Sequence, residues 1–312
     1  MIRQSDLYKS VKEIIPNERI LINEAMSQHT TFRIGGAADL FVEISSDDEL
    51  KKMLEVLSLY GYKTLNKDYY LIGNGSNLLV SDKGLRGVVL HLSKEYSDIK
   101  VCEDTLICKA GCTLAAIARK ACENSLTGFE FAAGIPGSLG GAIVMNAGAY
   151  DGEMKHVVKS VRLMTPDGEI VEKNNEDMHF SYRHSLLKEE SYIVLEVVIS
   201  LKKGNKDEIK AKMDELAFKR RSKQPLEYPS AGSTFKRPEG YFAAKLVEDA
   251  GLRGYNVGDA QVSQKHCGFV INKGNATAKD VLTLIENVQN KVKEASGVTI
   301  EPEVICLGDF SD

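Results

Sequence analysis

Residues 132–150, AAGIPGSLGGAIVMNAGAY, place glycines at 134, 137, 140, 141 and 148, and Gly152 follows just beyond. No ordinary loop needs so many, because each one raises the entropic cost of ordering the backbone. Pro136 fixes one dihedral, and apolar residues (Ile135, Leu139, Ile143, Val144, Met145) are interleaved throughout. That mixture favours a segment whose main chain lies close against a flat or anionic ligand over a flexible linker.

A second glycine loop, IGNGSNLLV (72–80), directly follows a strand-like run. Gly73 and Gly75, with Ser76 and Asn77, allow successive backbone N–H groups to point into one concavity, which holds phosphate oxygens without a side-chain charge. The dinucleotide fingerprint fails at its third glycine, where Leu78 stands, and no Walker lysine is present. On its own the loop fits a tight strand-to-strand turn as well as a phosphate nest. Two glycine loops in one domain nevertheless suggest a large cofactor.

The rest of the chain alternates strands and helices. An opening helix is expected over Ser5–Ile15, ended by Pro16, and DLFVEI (39–44) reads as a strand. Ser46 can cap a helix whose N3 residue is Glu49 and which Gly61 stops. YYLIG (69–73) and GVVLHL (87–92) read as strands, and a helix is expected over Thr113–Asn124. Pro166-Asp167-Gly168 supplies turn chemistry for a hairpin within VKSVRLMTPDGEIVEK. SYIVLEVVISL looks like a long buried strand. KKGNKDE (202–208) reads as a linker, followed by helices over 207–222, 241–250 and 277–296, a strand GFVIN (268–272) and a β-like end, VTIEPEVICLG.

At 312 residues, about two domains are expected. Forty-four acidic against forty basic residues leave no overall positive field for a nucleic acid backbone. The charged N-terminus lacks a secretory apolar stretch and no run has the length of a membrane span, so a cytoplasmic protein with no membrane partner is expected. The six cysteines form no CxxC pair and read as reduced, mostly buried thiols rather than metal ligands.

Three residues elsewhere invite a chemical reading: Arg183 in FSYRHS, Ser233 in YPSAGSTFK and Glu303 in EPEV. Each also has a plain one, as a surface ion pair, a turn hydroxyl and an exposed strand carboxylate. The basic run KRRSK (219–223) reads as a solvated helix face or as a diphosphate contact.

In this order, TTFRIGGAADL, GNGSNLLV, GFEFAAGIPGSLGGAIVMNAGAY, FSYRHS, YPSAGSTFK, GFVIN and EPEV resemble the UDP-N-acetylenolpyruvoylglucosamine reductase family, from about Met26 to Gly308. The resemblance implies an α+β fold. A two-lobed FAD-binding domain of the vanillyl-alcohol-oxidase type would cover 1–205, with lobes at 16–92 and 93–205. A smaller α/β substrate domain would cover 206–301, and a C-terminal strand and tail 302–312. It implies FAD as cofactor and NADPH as hydride donor, an enolpyruvyl-UDP-N-acetylglucosamine substrate, and Arg183, Ser233 and Glu303 as the catalytic positions. FAD would be held by Arg33, by Gly73, Asn74, Gly75, Ser76, Asn77 and Leu78, by Gly134, Ile135, Pro136, Gly137, Ser138, Gly141 and Ala142, and by Asn146 and Gly148. Tyr182 and Lys236 would meet the substrate.

One departure matters: no tyrosine occurs between Tyr192 and Tyr228. The chain therefore resembles the branch of the family that lacks a tyrosine-bearing closing loop. Two other readings stand beside this one, an FAD-dependent oxidase of the wider fold group and a sugar-nucleotide-binding regulator without turnover.

Overall fold

The computed structural model describes residues 4–311. Two compact units emerge, neither continuous in sequence. The first takes in residues up to Leu21, then Leu40–Gly73 and Val88–Lys219; the second takes in Ile22–Asp39, Asn74–Gly87 and the chain from Arg220 onward.

The chain opens with helix α1 (Gln4–Ile14), followed by strands β1 (Ile20–Ala25) and β2 (Ala37–Ile44) and helix α2 (Asp47–Leu59). Next come β3 (Tyr70–Ile72), β4 (Leu78–Val80), β5 (Leu85–Leu92), β6 (Ile99–Cys102) and β7 (Thr105–Lys109). Helix α3 (Leu114–Glu123), strand β8 (Leu126–Thr127), helix α4 (Leu139–Val144) and strands β9 (Gly148–Ala149) and β10 (Gly152–Glu153) follow. The hairpin β11 (Val158–Met164) and β12 (Ile170–Asn174) precedes β13 (Ile193–Ser200), β14 (Lys202–Lys203) and helix α5 (Lys206–Lys223). The last elements are α6 (Ala243–Asp249), β15 (Asn256–Val257), β16 (Ala260–Val262), β17 (Val270–Asn272), α7 (Ala278–Ser296) and β18 (Ile305–Leu307).

Local chemistry sets many of these boundaries. Ser46 accepts the Glu49 amide at 3.1 Å, but the Glu49 carboxylate does not return to Ser46 as a capping box would. It accepts instead from the Ser45 amide and hydroxyl at 2.8 and 2.9 Å and from both terminal nitrogens of Arg19 at 2.8 and 2.6 Å. Thr277 and Asp280 do form the reciprocal box at the head of α7, and Gly297 (φ 71°) ends that helix. The expected linker at 202–208 is absent: β14 pairs with β8, and α5 has begun by Lys206.

In the first unit, strands β12-β11-β13-β7-β6 form an antiparallel sheet with β13 at its centre. Its core gathers Leu106, Leu139, Ile143, Val161 and Val197, all fully buried. A second cluster, including Val11, Leu50, Met53 and Leu90, joins α1 and α2 to the strands beneath them. In the second unit, α6 and α7 cover the β15-β16-β17 meander through Val247, Val262, Val281 and Val288. There β4 pairs in parallel with β18, Leu78 opposite Ile305, which joins chain segments more than two hundred residues apart.

Candidate active site

In the first unit the glycine-rich segment is more ordered than its composition suggests. Part of it is helix α4, capped by Ser138, whose Oγ accepts the Gly141 amide at 3.5 Å. The Leu139 and Gly140 amides donate to Cys112 O and Ala110 O, both at 2.8 Å, which pins the segment against β7 and the turn beyond it. Some of the glycines serve internal packing: a Cβ on Gly148 would stand 2.6 Å from Gly152 O, and one on Gly152 would enter the Phe131 ring. Gly134, Pro136 and Gly141 are exposed, whereas Ala142 is buried and Ile135 half-buried. Gly73, at the end of β3, lies so close to Ser138 that a Cβ there would be 2.1 Å from the Ser138 hydroxyl. Two stretches expected to hold the cofactor are thus in contact.

Arg183 occupies the tip of a two-residue turn closed by reciprocal 3.1 Å hydrogen bonds between Ser181 and His184. Its backbone is left-handed (φ 55°), a conformation costing an ordinary residue on the order of 1–2 kcal/mol. The guanidinium stacks over the Tyr182 ring with 5.0 Å to the centroid and reaches Gly148 O at 3.5 Å. Asn146 supports this turn from below. Fully buried and also left-handed (φ 42°), it donates to Ser181 O at 2.9 Å and Glu153 Oε2 at 2.7 Å and accepts the Lys155 amide at 2.9 Å. Its side chain is committed to protein partners, which makes it a support for the Arg183 turn.

In the second unit Ser233 is exposed on a short span held at both ends. Upstream, Ser230 bridges to Ile271 and exchanges hydrogen bonds with Thr31. Downstream, the Thr234 amide donates to Gly268 O at 2.8 Å, and the buried Thr234 hydroxyl accepts the Val270 amide at 2.9 Å. Gly232 has φ 74° with open space around its missing Cβ, so conformation alone demands glycine there. Glu303, half-buried just before β18, donates its amide to Thr234 O at 2.7 Å, and its own carbonyl accepts Asn77 Nδ2 at 3.1 Å. The structure therefore joins the Asn77 loop, the Ser233 loop and Glu303 in one hydrogen-bonded group.

The remaining expected residues fall nearby in sequence but differ in setting. Arg33 is exposed with φ 56°, in a turn whose Arg33 amide donates to Thr30 O at 3.1 Å. Lys236 pairs through Nζ with Glu301 Oε2 at 2.9 Å. Sequence reasoning did not single out Thr31, Thr234 or Asn272, whose side chains fasten the Ser233 loop and the Phe32 carbonyl. Their signal was weak because each is a small polar residue in a stretch already explained by turns.

Each glycine stretch, taken by itself, has the chemistry to face a phosphate group: neutral backbone amides, the hydroxyl of Ser76 in one and of Ser138 in the other, and no carboxylate within 73–78 or 134–142 to repel it. Among the described residues no cluster of histidine, cysteine or carboxylate side chains has the makings of a metal site, and no helix is long and apolar enough to cross a membrane.

Residues 38–174 match the model of an FAD binding domain, and residues 224–307 match that of the UDP-N-acetylenolpyruvoylglucosamine reductase C-terminal domain. A UDP-N-acetylenolpyruvoylglucosamine reductase of Agathobacter rectalis is 53% identical over 97% of this chain and 98% of its own. The crystal structure of the enzyme of that name from Thermus caldophilus superposes with a TM-score of 0.78 at 33% identity, covering 93% of this chain and 98% of the other. A glucose-oxidase variant of Phl p 4, 14% identical, superposes on 64% of this chain and covers 44% of its own, with a TM-score of 0.50, a likeness of fold alone.

Proposed function

Because the chain belongs to the UDP-N-acetylenolpyruvoylglucosamine reductase family, whose members are FAD-containing oxidoreductases of peptidoglycan precursor synthesis, we propose the specific reaction it performs. It reduces UDP-N-acetyl-3-O-(1-carboxyvinyl)glucosamine to UDP-N-acetylmuramate at the expense of NADPH. Bound FAD supplies the hydride-transfer chemistry. Overall, a hydride from NADPH ends on the terminal vinyl carbon and a proton on the adjacent carbon that bears the carboxylate. The double bond is thereby saturated and NADP⁺ leaves.

Charge gathers on the carboxylate as the hydride arrives. A permanently charged planar fork is suited to hold both of its oxygens, and Arg183 carries this role. The Tyr182 ring behind the guanidinium and the Gly148 carbonyl restrict its swing, so less order has to be imposed when the anion binds. Ser233 donates the proton. A hydroxyl is a weak acid, so this assignment requires a strongly basic carbon and a hydroxyl already in line. The pinning of the loop at Ser230 and Thr234 supports the second requirement. Glu303 orients groups around that step.

Residues 206–301 are assigned to substrate binding, in keeping with the C-terminal-domain match at 224–307. Gly73–Leu78, Gly134–Ala142, Asn146–Gly148 and Arg33 are assigned to the FAD environment, Asn146 acting there by support rather than by its own amide. The observation that supports the catalytic reading most directly is the hydrogen-bonded group Asn77, Glu303 and Thr234, which carries Ser233. Purified protein should show the absorbance bands of bound flavin and consume NADPH in an amount stoichiometric with added enolpyruvyl-UDP-sugar. NADPH oxidation by oxygen at the same rate without the sugar nucleotide would count against the reading.

A further inference from the structure

Thr31 makes three hydrogen bonds to two different loops. Its amide donates to Gly75 O at 3.3 Å, its hydroxyl donates to Ser230 O at 2.7 Å, and its carbonyl accepts the Ser230 amide at 3.1 Å. On one side, then, lies the glycine loop assigned to the FAD pyrophosphate; on the other, the residue three places before Ser233.

Both contacts are firm. A Cβ on Gly75 would lie 2.0 Å from His29 O and 2.8 Å from Thr30 Cα, so that loop sits flush on the 29–31 segment and cannot shift without moving it. The segment is itself braced: the buried Thr30 hydroxyl donates to Ile34 O at 2.9 Å, Phe32 is fully buried, and Asn272 Nδ2 donates to Phe32 O at 3.2 Å. Beyond Ser230 only Ala231 and Gly232 intervene before Ser233, and Thr234 is fixed again at Gly268 O. A displacement of Thr31 is therefore passed to Ser233 through a span too short to absorb it.

We infer that Thr31 is a positioning residue that ties the Gly75 loop to the Ser233 loop, so that filling the first loop with the pyrophosphate of FAD and fixing the Ser233 hydroxyl favour each other. Such coupling is reciprocal. The threonine hydroxyl is the side-chain part of the tie; serine retains it and valine, of the same shape, removes it.

The inference rests on the proposed assignment of FAD to the Gly75 loop and, for its kinetic consequence only, on the role given to Ser233, and the test separates these: flavin absorbance reports FAD binding independently of exchange. Amide exchange of residues 230–235 is measured in the full chain with and without FAD, in wild type, Thr31→Val and Thr31→Ser. FAD should slow exchange in wild type and in Thr31→Ser, and this effect should be weakened in Thr31→Val, which keeps the two backbone bonds and loses the hydroxyl. In single-turnover traces Thr31→Val should slow the sugar-nucleotide half-reaction about tenfold more than the NADPH half-reaction, the rate equivalent of one neutral hydrogen bond, with a larger solvent isotope effect. Two results overturn the inference: exchange in wild type indifferent to FAD that the absorbance shows to be bound, which needs no variant to fold, or FAD-dependent protection undiminished in Thr31→Val. Failure of the functional reading looks different: Ser233→Ala would leave the sugar-nucleotide half-reaction unchanged while the FAD-dependent protection remained.

Discussion

The Glu303 amide donates to the Thr234 carbonyl at 2.7 Å and the Lys236 amide to the Glu301 carbonyl at 2.8 Å, so the carboxylate and the Ser233 hydroxyl are carried by backbones joined through an antiparallel bridge at Phe235 and Pro302. The same Glu303 offers its carbonyl to Asn77. Strand β18, the Ser233 loop and a glycine turn from the first third of the chain are thereby placed in register by two main-chain contacts and the Asn77 side-chain amide. Strand β18 enforces this, since its pairing with β4 fixes Ile305 against Leu78.

Replacing Ser233 with alanine removes the hydroxyl without disturbing an exposed position. We expect FAD reduction by NADPH to proceed nearly as in wild type, while reoxidation by the enolpyruvyl substrate slows by roughly 10²–10⁴-fold, the usual contribution of a positioned general acid. Stopped-flow traces at the flavin absorbance separate the two steps. An equal effect on both would remove Ser233 from proton transfer.

Arg183→Lys keeps the charge and loses the fork. The lysine ammonium is a point donor, so only part of the two-oxygen contact with a carboxylate can be remade. Turnover should fall by about 10²-fold or more, on the scale of losing one strong oxyanion contact. Wild-type turnover in this variant would show that the guanidinium does not hold the carboxylate.

Elements whose signals lie within a few residues were legible in the sequence. Thr113, Ser46 and Thr277 begin their helices where the side-chain pattern places them, and Pro166-Asp167-Gly168 turns the β11–β12 hairpin. Helix α4 was hidden because two of its six residues are glycines, which argue against a helix on propensity, and its first amides are satisfied by partners 27–30 residues away in sequence. The pairing of β4 with β18 left no local trace, since the energy of a parallel pair appears only once both segments are present. The candidate site divides the same way. Arg183, Ser233 and Glu303 are reached through a family resemblance, whereas the supports Asn146 and Thr31 act through partners that a linear reading does not place beside them.

Asn146→Ala tests the support under Arg183. The substitution removes the fully buried Asn146 side chain from the Ser181 carbonyl, the Glu153 carboxylate and the Lys155 amide, groups on residues that are themselves half-buried or exposed. Each such loss costs about 1–3 kcal/mol, and alanine is also a poor occupant of a left-handed backbone. We expect a destabilisation on the order of 3 kcal/mol in denaturant melts, with faster amide exchange at 181–184. Unchanged exchange there would mean that the turn holds itself.

Acid should unfold the first unit partly through Glu49. Its hydrogen bonds with Arg19 outweigh the opposing effect of burial and, with those from Ser45, hold the carboxyl at about 2, below its ordinary value of 4.5. The Arg19 guanidinium is shifted upward by the same contact, so both partners favour the charged pair. A carboxyl whose value is lower in the folded than in the unfolded chain stabilises fully above the unfolded value and loses that contribution as pH falls through the folded one. The window is therefore pH 4.5 down to about 2, and the contribution lost is on the order of 2–3 kcal/mol, since both side chains are under one-fifth exposed. Glu49→Gln should be less stable than wild type at neutral pH and should show a shallower fall in stability across that window. Parallel curves for the two proteins would exclude Glu49 as a source of the acid sensitivity.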